Sequence, residues 1–301
     1  MTNHTVPGLN QGRLFCFGLG YSASALVKRL SGSDWRIRGT ARTLEKCTRL
    51  ENAGYDAFFF DSEIPLRDAT KHLADTTHLL TSVPPDSFGD PVLRHHAEHI
   101  ANISSLHWVG YLSTTGVYGD HKGDWVDEDS TLSPTGLRGK LRAETERAWL
   151  ELGKAKGLPI HIFRLAGIYG PGRNVLNALR EGRATRIQKP GQVFSRIHVE
   201  DLAETLLRSM ADPKPARIYN VCDDKPAPSE DVMTFAANLL GVPAPPLVSF
   251  KDAKLSEMAQ SFYADNKRVR NERIKRELGV VLRYADYEAG LRAIFTSSLY
   301  K

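Results

Sequence analysis

Gly18-Leu19-Gly20-Tyr21-Ser22-Ala23, directly behind the run Arg13-Leu14-Phe15-Cys16-Phe17, is the stretch whose reading decides the fold. The run is short and apolar, and it ends at a glycine. Ala25, Leu26 and Leu30 follow at helical spacing, so the whole reads as buried strand, tight turn, helix. A turn of this composition has a physical use. The first glycine makes the bend, the second lets the backbone approach a pyrophosphate, and a third small residue, here Ala23, lets helix and strand pack closely. Free N–H groups at the helix start then face negative phosphates. Glycine marks many purely structural turns, so the motif gains its weight from the strand before it and the helix after it. Gly18, Gly20, Tyr21, Ser22 and Ala23 are therefore candidate cofactor-binding residues.

Outward from this turn the same rhythm continues. Trp35 to Thr40, Ala57 to Phe60, His78 to Val83, His107 to Leu112 and Pro159 to Leu165 read as strands. Leu44 to Ala53, Pro91 to Ser104 and Arg138 to Lys156 read as the helices between them. Alternation of this kind predicts an α/β chain with a Rossmann-type doubly wound parallel sheet covered on both faces. Beyond about Gly170 the rhythm weakens and prolines cut the chain into short units. The expected organisation is a dinucleotide-binding domain over residues 12–170. A smaller C-terminal substrate lobe over 171–301 packs on it and is partly interwoven with it.

Composition excludes several classes. In 301 residues, 41% are hydrophobic and 25% charged, which is ordinary for a globular chain and unlike a disordered one. No apolar run approaches the roughly 20 residues that span a bilayer. Met1 to Gly12 is polar and lacks the basic-then-apolar pattern of a secretory signal, which points to the cytoplasm. Cys16, Cys47 and Cys222 are too few and too scattered for a disulfide framework or a metal site. The formal charge of +5 fits either a basic surface or attraction of a phosphorylated ligand.

About 20 residues past the glycine turn, an NAD site carries an acid for the ribose hydroxyls. This chain has Thr40-Ala41-Arg42-Thr43 there. Arg42 is suited to a 2′-phosphate, a charge-assisted and often bidentate contact, and otherwise reads as a solvated strand-end arginine. The expected cofactor is NADP, in preference to NAD.

Three further segments now read together with the turn. They are Ser113-Thr114-Thr115-Gly116-Val117-Tyr118-Gly119, Arg164-Leu165-Ala166-Gly167-Ile168-Tyr169-Gly170-Pro171-Gly172, and Ile197-His198-Val199-Glu200-Asp201-Leu202-Ala203. From about Leu14 to Leu240 their order and spacing resemble the extended and atypical short-chain dehydrogenase/reductases, including the nucleotide-sugar epimerase/dehydratase group. The resemblance implies a hydroxyl residue after the fifth strand that orients a substrate oxygen, and Thr114 matches it. It implies an adenine contact at Asp61 and cofactor contacts at Ser82 and Val83. Relatives often pair through helices such as Pro91 to Ser104 and Arg138 to Lys156, so a homodimer is a possible state. The partner expected otherwise is a small-molecule substrate, with neither nucleic acid nor membrane.

One departure bears on chemistry. The family's acid/base is a tyrosine followed four residues later by a lysine, which lowers the phenol's pKa and holds the cofactor ribose. Aligning Lys140 on that lysine, four before Glu144, puts Gly136 where the tyrosine belongs. Thr114 and Lys140 are the candidate catalytic residues, and the proton source is open. Tyr118 and Tyr169 are the nearest tyrosines by motif. The expected function is an NADP(H)-dependent oxidoreductase or epimerase/dehydratase-like enzyme on a small polar carbonyl or hydroxyl compound. The alternative is a catalytically inactive NAD(P)-binding sensor or scaffold.

Arg164 and Arg196 fit either an anionic substrate group or a salt-bridged framework, while His198 and Asp201 read as fixing the lobe junction. His95 and His99 share a helix face at a metal-clasping spacing, but no third ligand accompanies them, so no metal is expected. The basic run Lys267 to Arg276 is broken by Glu272, and Ile274, Leu278 and Val281 form an apolar face, as on a solvated helix rather than a nucleic-acid patch.

Overall fold

Leu14 and Cys16 face one side of their strand, Phe15 and Phe17 the other, and all four are buried. A strand apolar on both faces belongs in the middle of a covered parallel sheet. A computed structural model describes residues 9–299 and places it there. The N-terminal segment read for a secretory signal lies largely outside the described residues.

The early strands are β1 (Gln11–Phe17), β2 (Asp34–Ala41), β3 (Asp56–Phe59), β4 (His78–Thr81) and β5 (Trp108–Thr114). Strands Ile160–Leu165 and Arg217–Val221 complete a seven-stranded sheet. Its order is Arg217–Val221, Ile160–Leu165, β5, β4, β1, β2, β3, with every pairing parallel. The expected strands differ from these by a residue or two at their ends. The last sheet strand comes from beyond residue 171, so the C-terminal part of the chain completes the N-terminal sheet.

The helices that bear on the site are α1 (Tyr21–Leu30), α2 (Leu44–Asn52), α3 (Ala69–Leu73), α4 (Pro91–Ala101) and α5 (Leu137–Lys156). After them come α6 (Val175–Arg180), α7 (Val199–Ala211), α8 (Ser229–Leu240) and α9 (Glu257–Ala264). One core fills the space between the sheet and α1 and α7, through Leu26, Leu80, Phe163, Leu202 and Leu206. The other, with Phe17, Val92, Tyr111, Trp149 and Ile162, lies under α4 and α5. Each such side chain contributes roughly 1.5–3 kcal/mol by leaving water. A third cluster, around Tyr169, Leu176, Ala236 and Leu291, forms the core of the C-terminal part.

His198 caps α7, its Nδ1 accepting the Glu200 N–H at 3.2 Å. Asp201 accepts the N–H groups of Arg283 and Tyr284 at 2.8 and 3.0 Å, which ties α7 to the C-terminal segment. His95 bonds the Ser62 carbonyl through Nε2 at 3.0 Å. Among the described residues, no helix is long and apolar enough to cross a membrane.

Burial holds His78, His96, His161 and His198 each down to about 4. Below the ordinary histidine value of about 6.5 the unfolded chain takes up protons that the folded chain refuses. Their contribution is therefore complete above that value and is lost as pH falls toward 4. Asp201 and Asp223, raised by burial to about 6 and about 8, act in the opposite sense and offset part of the loss. Burial also raises Asp90 and Glu128 and lowers His72, so five histidines stand against four carboxyls and the urea midpoint is expected to fall between pH 7 and pH 4.5. A midpoint that rises over this interval would contradict the assignment.

Candidate functional site

The sheet order reverses between β1 and β4, and in such sheets ligands sit at the carboxyl ends of the strands around that point. A cleft of about 1140 Å³ opens there. Its floor begins at the glycine turn. Gly18 takes φ +82°, a left-handed conformation that favours glycine, and its N–H donates to Thr40 Oγ1 at 2.9 Å. Ser82 Oγ donates to the Gly18 carbonyl at 2.7 Å and locks the turn against the end of β4.

Gly20 is the N-cap of α1 and has no side chain to cap the first turn. A Cβ at Gly20 would meet nothing closer than the Gly18 carbonyl, 3.9 Å away, so the space in front of it is open. This cradle fits a pyrophosphate: open at the second glycine, with uncapped N–H groups at a helix start. Ala23 lies behind it, fully buried among Leu19, Leu26 and Val27, where it lets α1 pack closely on the sheet.

At one end of the cleft stand Arg42, Thr43 and Lys46, with Asp61 beside them. Thr43 caps α2 through its side chain, which fixes Arg42 just before the helix and Lys46 in its first turn. Among the described residues neither the Arg42 nor the Lys46 side chain has an ion-pair or hydrogen-bond partner. Asp61 is engaged locally, its Oδ1 accepting the Glu63 and Ile64 N–H groups at 2.9 and 2.7 Å. Ser82 and Val83 line the middle.

Thr114 closes β5 and caps the short 3₁₀ turn Thr115–Tyr118, its Oγ1 accepting the Gly116 N–H at 3.1 Å. The hydroxyl lines the cleft and keeps its own proton to donate. Ser113, one residue earlier, faces the other way. It donates to Glu146 at 2.5 Å, and Glu146 in turn accepts from Arg164 Nε and Nη2 at distances down to 2.8 Å. Arg164 Nη1 donates to the Tyr118 hydroxyl at 2.9 Å, and that hydroxyl donates to Asn220 at 2.7 Å. Ser113, Glu146, Arg164, Tyr118 and Asn220 are all buried. Of the two roles open to Arg164, the framework role is the one realised. Burial pushes the Tyr118 phenol up to about 12 and that of Tyr169 higher still, which suits neither to proton exchange near neutrality.

Lys140 does not join the others. It is exposed and is not among the residues that line the cleft, whereas Arg138 and Arg142 are. The reason is helical phase. The buried stripe of α5 runs through Glu146, Trp149 and Gly153, and continuing it by steps of three and four reaches Arg142 and Arg138. Lys140 lies two residues from each and so on the far side. Gly139 sits against the Gly116 carbonyl, where a Cβ would approach to 2.8 Å, and brings this turn of α5 to the 3₁₀ turn after Thr114. Arg142 donates to the Tyr111 hydroxyl at 2.8 Å and the Leu112 carbonyl at 2.7 Å.

Two equally spaced pairs, Lys140 with Glu144 and Arg142 with Glu146, were open in the sequence; the apolar stripe toward Trp149 was the signal favouring the second. The remaining walls come from the C-terminal part: Tyr169, Arg173, Arg196, Ser229, Tyr263 and Lys267. Tyr21 donates to the Pro171 carbonyl at 3.1 Å, and Arg173 lies over its ring at 5.8 Å, beside the glycine turn.

This sheet order, with a glycine turn at the point of reversal and a cleft running from it to the end of β5, defines a Rossmann-type α/β protein. The chain belongs to the NAD dependent epimerase/dehydratase family, whose model matches residues 18–222. It is similar to Protein YeeZ of Escherichia coli (strain K12), 27% identical over 279 residues that cover 89% of this chain and 95% of that one. A conserved protein of unknown function from Silicibacter pomeroyi DSS is 49% identical, with a TM-score of 0.87 over 96% of this chain and 99% of the other. UDP-glucuronic acid 4-epimerase from Bacillus cereus, solved with UDP-glucuronic acid and NAD, is 18% identical. It superposes with a TM-score of 0.77 over 96% of this chain and 100% of its own, a likeness of fold.

Proposed function

We propose that the chain binds NADP(H) in this cleft and acts as an oxidoreductase or epimerase/dehydratase-like enzyme on a small polar carbonyl or hydroxyl compound. The carrying observation is the pair Arg42 and Lys46, two cations with no side-chain partner among the described residues, at the carboxyl end of β2 where an NAD site would carry an acid. A 2′-phosphate beside them would gain charge-assisted hydrogen bonds. The glycine turn, Ser82 and Val83 would hold the rest of the cofactor, and Asp61 would meet the adenine. NADP(H), when bound, supplies or accepts hydride.

Thr114 would donate its hydroxyl proton to a substrate oxygen and so orient the reacting carbon. Arg142, fixed on the carbonyl of Leu112, would stand at the ribose in the manner of the family's lysine. Arg138, four residues earlier, then takes the place of the tyrosine. A guanidinium stays protonated, so Arg138 would polarise an oxygen without exchanging a proton. This same feature supports the second reading, a dinucleotide-binding sensor without turnover.

Arg42→Ala is expected to weaken NADPH at least about tenfold while leaving NADH little changed, read by cofactor fluorescence. Equal losses for both cofactors would refute the phosphate contact. NADPH absorbance followed across a panel of carbonyl and alcohol compounds separates enzyme from sensor. Turnover that falls sharply in Thr114→Ala supports the enzyme; tight binding without turnover across the panel supports the sensor.

A further inference from the structure

Among the described residues five cations line the cleft beyond the β2 end, and most of them have an evident occupation. Arg173 sits over Tyr21 beside the glycine turn. Arg142 is fixed on β5 and assigned above to the cofactor ribose, and Lys267 pairs with Asp265 at 3.4 Å. Arg138 is exposed, with its charge in water. Arg196 is different. It belongs to the short strand Arg196–His198, is partly buried, is held like Arg142 through Nη1 alone, and has no part in the cofactor reading. Its Nη1 donates to the Phe194 carbonyl at 2.8 Å and the Ala227 carbonyl at 3.0 Å. These two bonds, with the Phe194 ring 5.9 Å from the guanidinium, fix its plane and leave Nε and Nη2 without a hydrogen-bond partner among the described residues.

Cations withdrawn from water are ordinarily paired, because an uncompensated charge in a low-dielectric site is costly. No carboxylate comes within ion-pairing distance of Arg196 among the described residues. The acid that acts on it most strongly, Asp223, is itself raised by burial to about 8 and so carries little charge at neutrality. Around Arg196 the cleft wall is hydroxylic. Tyr169, Tyr263 and Ser229 line it, Ser229 opening α8, and Tyr263 packs edge-on against Phe194 at 5.1 Å. A fixed guanidinium with free donors, facing a cavity and surrounded by hydroxyls, is the arrangement that recognises a planar or tetrahedral oxyanion.

We propose that Arg196, with Tyr263 and Ser229, forms an oxyanion subsite for the substrate, which is therefore a small organic anion carrying a carboxylate or a phosphate. This deepens the reading of the cleft as an NADP(H)-dependent site and rests on it for the word substrate; the anion contact itself does not need the cofactor. The carboxylate and phosphate share the same recognition by the guanidinium fork. They differ in charge and shape, so separate titrations tell them apart.

The test uses the full chain, with and without saturating NADPH, at low ionic strength. Malonate and inorganic phosphate are titrated separately by calorimetry. The wild type is expected to bind one of them, and Arg196→Gln to weaken that binding at least about tenfold. Arg196→Lys, which keeps the charge and loses the fork, and Tyr263→Phe, which loses one hydroxyl, are expected to give smaller losses. They decide the matter if Arg196→Gln does not fold. NADPH affinity should be unchanged in all three variants.

The proposal is overturned if neither anion binds the wild type, or if binding is indifferent to these substitutions. It is also overturned if NADPH affinity falls with them, which would assign Arg196 to the cofactor. Anion binding that depends on Arg196 in a chain that fails to bind NADPH would sink the cofactor reading and leave the subsite standing.

Discussion

Gly20→Val is expected to reduce NADPH affinity at least about a hundredfold while leaving the fold intact. Gly20 has an ordinary extended conformation, φ −101°, and its missing Cβ faces open space. A valine there strains nothing in the protein; it only fills the cradle that the backbone leaves for a pyrophosphate. The thermal midpoint should stay close to that of the wild type. Gly18 offers a contrast, because a side chain there would combine a positive φ with a Cβ 2.7 Å from Ser82 Oγ. Gly18→Val should therefore lose both stability and binding. Titration by cofactor fluorescence, with melting curves alongside, separates the two cases. Undiminished NADPH binding by Gly20→Val would remove the glycine turn from the cofactor site.

Arg164→Met is expected to be the most destabilising single change in the sheet, by about 3–5 kcal/mol. It would leave Glu146 buried and unpaired, since among the described residues the carboxylate's one other partner is the Ser113 hydroxyl. The Tyr118 hydroxyl would lose a donor as well. A loss of this size is a large fraction of the 5–15 kcal/mol that ordinarily holds a domain together. Replacing both partners, Arg164→Met with Glu146→Leu, removes the stranded charge and should recover much of the loss. Urea titrations of the two singles and the double form a cycle that measures the coupling. A single mutant within about 1 kcal/mol of the wild type would show that the pair does not hold the corner.

The same network bears on function. It ties β5, α5 and the strands Ile160–Leu165 and Arg217–Val221 together directly behind Thr114. The hydroxyl proposed to orient a substrate oxygen needs such a rigid mount, and here the mount is polar and buried.

Much of the fold was legible because its signals are local. The alternation of Leu14 and Cys16 with Phe15 and Phe17 marks a doubly covered strand, and Gly18 to Ala23 marks the turn after it. The helices announced themselves by periodicity, and the structure moves their ends by only a few residues. Of the candidate site residues, Gly18, Gly20, Tyr21, Ser22, Arg42, Asp61, Ser82, Val83 and Thr114 line one cleft. They follow strands of a parallel sheet or open the helix after one, and such positions converge at one edge wherever the strands lie. Lys46 was within reach of the same logic, one turn past Arg42.

What was not legible depends on phase and on distance. Spacing alone allowed Lys140 or Arg142 beside the cleft, and only the packing of Gly139 on Gly116, with Trp149 in the core, decided the face of α5 that looks inward. Arg164 and Arg196 were equivalent as sequence. Contacts with Glu146, 18 residues away, made one a framework residue, and no such acid pairs with the other among the described residues, which leaves it lining the cleft. Tyr263 and Lys267 reach the same cavity from elements nearly a hundred residues beyond the sheet's inner strands, where no local pattern points to them. The sequence by itself determined the sheet, the turn and the kind of ligand they suit, because backbone geometry and periodicity are written in neighbouring residues. The tertiary structure alone decided which cations face the cleft, because pairing and burial are set by residues far away along the chain.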